Sequence, residues 1–81
     1  MSADISATET LDVKGENCPM PVVKTKQAID DLEPDEVLEV VATDAGSMSD
    51  IDGWADTTDG VELLDQVEGD DVYTHYVRKT E

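Results

Sequence analysis

The one cysteine of this chain, Cys18, sits in the run Gly15-Glu16-Asn17-Cys18-Pro19-Met20-Pro21. Proline is favoured at the first position of a helix, where its missing N–H goes unneeded. Pro19 therefore reads as the first helical residue, which makes Cys18 the N-cap. A thiol there faces unpaired backbone N–H groups and the positive end of the helix dipole, and both favour the thiolate, the nucleophilic form. Three of the five basic residues, Lys14, Lys24 and Lys26, lie within eight positions of Cys18. Nearby lysines lower a thiol pKa further and offer a docking patch to an acidic partner surface. Alternatively, Lys24 and Lys26 serve only to pair with local acids, Lys26 with Asp30 at i,i+4.

Other candidates carry less. His75 lies in Tyr73-Thr74-His75-Tyr76 near the end of the chain and reads as a surface or rim residue of a strand rather than a general base for Cys18. Asp12 and Asp44 fall where strands lead into loops, the ordinary setting of solvated acids. Trp54 falls on the apolar side of a helix and reads as core. Asp50, Asp52, Asp56 and Asp59 lack the loop spacing of a calcium site, and one Cys with one His cannot make a cysteine-rich zinc centre, so no metal and no cofactor are expected.

The elements that position these residues follow from periodicity. Residues 1–7 are small and polar and read as a flexible N-terminal tail, and residues 8–81 as a single domain. Residues 8–14 alternate, with Leu11 and Val13 on one side. A helix over 19–32 carries Val22, Thr25, Ile29 and Leu32 on one face with Ala28 beside them, and Pro34 ends it. Residues 37–43 form a strand with Leu38, Val40 and Ala42 inward. A second helix over 49–58 presents Ile51, Trp54, Ala55 and Thr58, with Ser47-Met48-Ser49-Asp50 in capping-box spacing. Strands over 61–67 and 72–79 flank a Glu68-Gly69-Asp70-Asp71 hairpin signal. The order β-α-β-α-β-β predicts an α+β fold: a two-layer sandwich with two helices on one face of a four-stranded mixed sheet.

The charge balance bounds the setting. Five Lys and Arg stand against 21 Asp and Glu, a formal net charge of −16 over 81 residues. Such self-repulsion destabilises a compact state in dilute buffer. At molar salt the screening length shrinks to about 3 Å, and the spread of acids reads as the surface of a protein from a halophilic cell. So acidic a surface argues against direct nucleic-acid binding. The first ten residues lack the basic start and apolar core of a signal peptide, and no apolar run has membrane-spanning length. With a lone cysteine, this reads as a protein of the reducing cytoplasm.

Asp12, Gly15, Cys18-Pro19-Met20-Pro21, Asp44, Gly46, Asp50-Ile51 and Trp54 together resemble the TusA/SirA-like sulfur-carrier family, over residues 11–79. The resemblance implies the same β-α-β-α-β-β sandwich. It implies that Cys18 receives sulfane sulfur as a persulfide from a cysteine desulfurase and relays it to an acceptor protein, such as tRNA-thiolation or cofactor-sulfuration machinery. It also implies that Asp44 lies near the thiol and shapes the site. The chain departs from the family at Ala45, where proline is usual, and at Asp35, where glycine is common. Two other functions suit the same fold: a non-catalytic adaptor or regulatory module, and a thiol redox sensor.

Overall fold

A computed structural model describes residues 7–17 and 20–81 of the chain. Its elements are β1 (Glu9–Val13), α1 (Met20–Asp30), β2 (Val37–Ala42), α2 (Ser47–Thr57), β3 (Val61–Glu68) and β4 (Tyr73–Lys79). They form one mixed sheet in the order β1-β2-β4-β3, with β1 and β2 parallel and the other pairs antiparallel. The expected order, four-stranded mixed sheet and two helices are all present. Residues 1–6 of the expected tail lie outside the described residues, as do Cys18 and Pro19, the expected N-cap and first helical residue.

Period-2 alternation builds the sheet's inner face. Leu38, Val40 and Ala42 of β2 and Val77 of β4 are buried, as is Val13 of β1. Ile29 and Leu32 close over them from α1 and its end, and Ile51 from α2, with Trp54 packed against the cluster. Thr25 joins the buried stripe because its Oγ1 donates to the Pro21 carbonyl, 2.6 Å away, so no polar atom is left unpaired there. On the sheet's other face Glu39 joins three strands: Thr10 of β1 and Tyr76 of β4 each donate to one of its carboxylate oxygens at 3.0 Å.

Three features depart from the local reading. First, α2 begins at Ser47 and its N-cap is Gly46, which makes no side-chain cap, so the expected capping box does not form. Ser47 is buried, and its Oγ lies 3.0 Å from His75 Nε2. Second, His75 is fully buried and not at the rim. It shares the inward parity of Val77, and Gln66 Nε2 stands 3.0 Å from its Nδ1. Third, β3 carries a bulge between Leu63 and Asp65. The extra residue, Leu64, reverses the alternation, so Gln66 turns inward to His75 while Val67 is left exposed.

The hydrogen bonds assign the imidazole. Gln66 Nε2 also donates to the Met48 carbonyl at 2.8 Å, which fixes that atom as the amide nitrogen. Its second N–H points to His75 Nδ1, which must accept. The proton is therefore on Nε2 and is donated to Ser47 Oγ. Protonating Nδ1 would set one donor against another.

The helix ends are managed at a distance. α1 has no basic residue in its last turn. Lys79 supplies the cation from β4, its Nζ donating to the carbonyls of Asp30 (3.2 Å) and Leu32 (2.8 Å). The turn after α1 places Asp35 at φ 73, left-handed backbone that glycine adopts without strain. Its N–H is fixed on the Lys79 carbonyl at 2.6 Å.

Two outcomes follow from this packing. Burial lowers His75 from the usual 6.5 to about 4. The unfolded chain therefore takes up a proton below pH 6.5 that the folded chain refuses until about pH 4, and stability falls as pH drops through that window. Urea unfolding should show a loss of about 2 kcal/mol between pH 7 and pH 5, with the imidazole still neutral by NMR at pH 5; a ring already protonated there contradicts the assignment. At the turn, Asp35→Gly should leave stability unchanged or raise it by up to about 1 kcal/mol. Asp35→Val should lower it by about 1–2 kcal/mol in the same unfolding assay.

Candidate functional site

Parallel pairing of β1 and β2 sends the chain out of both strands at the same end of the sheet, Val13 beside Ala42. The two loops that follow are built alike. Asp12 Oδ1 accepts from the Lys14 N–H at 2.9 Å, and Asp44 Oδ1 accepts from the Gly46 N–H at 3.1 Å. Each carboxylate thus closes a turn two residues on, a use of aspartate that local sequence permits but does not single out. The loops are joined where Gly15 N–H donates to Thr43 Oγ1 at 2.9 Å. Gly15 has φ +83, a conformation that explains glycine at this position. Gly46, at φ −63, is conformationally ordinary, and a Cβ there would touch Asp44 Oδ1 at 3.4 Å.

Cys18 itself lies outside the described residues, between Asn17 of the first loop and Met20 of α1. The surroundings are described. The Met20 N–H donates to the Asn17 carbonyl at 2.9 Å as α1 starts. Pro21 is buried in the first turn, where its lack of an N–H costs nothing. In a chain of 21 acids, the first turn of α1 holds none. The positive end of its dipole is not neutralised by a side chain of its own helix, whereas α2 carries Asp50 in the matching place.

The lysines divide. Lys24 is ion-paired to Glu16, tying the loop to α1, and Lys14 Nζ lies 3.8 Å from Asp12 Oδ2. Lys26 is exposed, and no ion pair joins it to Asp30 among the described residues. Beside these lysines, α1 exposes Met20 and Val23. Sequence reading passed over both residues, although the helical projection holds the signal: 20, 23 and 27 lie opposite the buried stripe of 25, 29 and 32. His75 is not brought to the site as a base, since both its ring nitrogens are engaged inside the core by Ser47 and Gln66. A hollow of about 580 Å³, lined by Asp52, Asp56, Asp59, Glu62 and Arg78 among others, lies at the opposite end of the sheet. Among the described residues no three of His, Cys, Asp and Glu converge as metal ligands, and no helix is long and apolar enough to cross a membrane.

Comparison with known proteins gives this geometry its context. Residues 9–79 match the family described as sulfurtransferase TusA. A Halobacterium salinarum protein provisionally named a sulfur carrier is 78% identical over 80 residues, covering 99% of both chains. Sulfur carrier protein TusA of Pseudomonas fluorescens is 43% identical over 70 residues, covering 86% of this chain and 83% of its own. The crystal structure of a SirA-like protein from Desulfitobacterium hafniense superposes with a TM-score of 0.70 at 25% identity, covering 90% of this chain and 99% of that one. The chain therefore belongs to the TusA family of sulfur carriers.

Proposed function

We propose that Cys18 carries sulfane sulfur as a persulfide, taken from a cysteine desulfurase and passed to an acceptor in tRNA thiolation or cofactor sulfuration. The observation that carries this reading is the family match around the chain's one cysteine, in its Cys-Pro-Met-Pro setting. In the loading step the Cys18 thiolate attacks the outer sulfur of the donor's persulfide. A new S–S bond forms at Cys18, the donor's S–S bond breaks, and the donor leaves as a thiolate, so no external oxidant or reductant is needed. Delivery repeats the exchange with the acceptor as nucleophile. A second cysteine in the chain would discharge the cargo as a disulfide, and none is present.

Supporting features are the acid-free first turn of α1 and the ion-paired loop around Glu16 and Lys24. Met20, Val23 and Lys26 give two successive macromolecular partners an amphipathic, locally cationic surface to dock on. Lys14 and Lys24 belong to that surface while also bonding their own loop. Asp44 shapes the neighbouring loop. The reading puts the protein in the cytoplasm of a salt-accumulating cell, without direct nucleic-acid contact.

Two experiments test it. Incubated with a desulfurase and cysteine in molar KCl, the chain should gain one sulfur by mass, and Cys18→Ser should gain none. Equal labelling of Cys18→Ser defeats the reading; an unlabelled but functional Cys18→Ser supports an adaptor, and an intermolecular disulfide at Cys18 a redox sensor. For docking, Lys26→Glu should raise KM for the desulfurase about three- to tenfold at the lowest salt that keeps the chain folded, with Cys18 alkylation by iodoacetamide unchanged. An unchanged KM removes Lys26 from the interface.

A further inference from the structure

The interior of this small domain contains a polar chain that the sulfur chemistry does not directly use. Gln66 of β3, His75 of β4 and Ser47 of α2 are linked end to end at 3.0 Å. His75 and Ser47 are 0% and 1% exposed. No buried side-chain nitrogen or oxygen lacks a partner among the described residues. Apolar residues of similar volume would fill this space without the cost of desolvating three polar groups. What apolar packing lacks is direction. A complete hydrogen-bond network specifies one register of α2 against β3 and β4, and the second bond of Gln66, to the Met48 carbonyl, fixes the same first turn of the helix.

The chain of bonds continues to the site. Ser47 N–H donates to the Asp44 carbonyl at 2.9 Å, and Gly46 N–H donates to Asp44 Oδ1 at 3.1 Å. Asp44 follows Thr43, whose hydroxyl receives the Gly15 N–H of the loop leading to Cys18. Ser47 would ordinarily turn its hydroxyl outward to cap its helix. Here it turns inward, and the helix start is fastened to the core instead of to itself.

We propose that Ser47 and His75, backed by Gln66, are positioning residues that hold the Asp44 turn in place for sulfur transfer at Cys18. This rests on the carrier reading. The three act through Asp44 and touch neither sulfur donor nor acceptor. Ser47→Ala removes only the hydroxyl and leaves the apolar packing. It should slow single-turnover loading of Cys18 by about two- to tenfold, the kinetic equivalent of one net hydrogen bond, through kcat and not KM.

The deciding experiment is a double-mutant cycle of Ser47→Ala with Asp44→Asn, a change that removes the charge and keeps an acceptor for Gly46 N–H. If Ser47 works through Asp44, the double variant loads no more slowly than Asp44→Asn alone. Multiplied losses, or no loss in Ser47→Ala, overturn the proposal. Amide exchange at Gly46 and Ser47 gives a second readout that does not depend on turnover. It should quicken about tenfold in Ser47→Ala, and unchanged exchange also overturns the proposal. Should the unaltered chain take up no sulfur, the carrier reading falls by itself; the same cycle, read as the rate of Cys18 alkylation by iodoacetamide, then decides the positioning role.

Discussion

The parallel pairing of β1 with β2 is the constraint on which the rest of the molecule depends. Two antiparallel strands can be joined by a hairpin, but two parallel ones need a crossover, and α1 is that crossover. Once β1 and β2 run the same way, both helices leave the sheet from the same end and both βα loops lie side by side. The chain uses this twice with the same device, an aspartate one residue before or two residues beyond the last paired position, closing a turn on an N–H two residues on. The bond from Gly15 to Thr43 then makes the two loops one unit. The first loop, as far as Asn17, is thereby tied to both strands at once.

Most of this framework was legible from alternation and helical stripes, because those signals report which face of an element is dry. Leu38, Val40 and Ala42 declared β2, and Thr25 and Ile29 declared the inner face of α1, which ends at Asp30, two residues before the expected end at the buried Leu32. What escaped was set by partners distant in sequence. His75 shares parity with Val77, so its burial could have been read, but the expectation that a charged-type side chain seeks the rim outweighed the pattern. Ser47 has the spacing of a cap and a better partner 28 residues away. Lys79 looks like a strand end and acts as the cation for α1. The bulge after Leu63 leaves no local mark, and without it Asp65 rather than Gln66 would face the core. At the site, the spacing of Asp12 and Asp44 was visible, while their use as turn acceptors was not, since a solvated aspartate looks identical in sequence.

The distribution of charge is as informative as its total. Acids cover most surfaces, yet the first turn of α1 has none, and three of the five cations are placed on structural duty: Lys24 on Glu16, Arg78 across to Asp35 and Glu62, and Lys79 on a helix end. Exposed pairs of this kind each contribute well under about 1 kcal/mol. Their value lies in placement: Lys24 joins the first loop to α1, and Lys79 joins β4 to the end of α1.

The bulge in β3 has one more consequence. β3 is an edge strand eight residues long, with Leu64 and Val67 exposed, the sort of edge on which another chain could add a strand. In dilute solution a net charge of −16 keeps copies apart. At molar ionic strength that repulsion reaches only about 3 Å, and charge no longer guards the edge. The interrupted register does, since an incoming straight strand can match the hydrogen-bonding groups on one side of Leu64 or the other, but not both. The residue that aims Gln66 into the core thereby also interrupts the regular edge on which a second strand would pair.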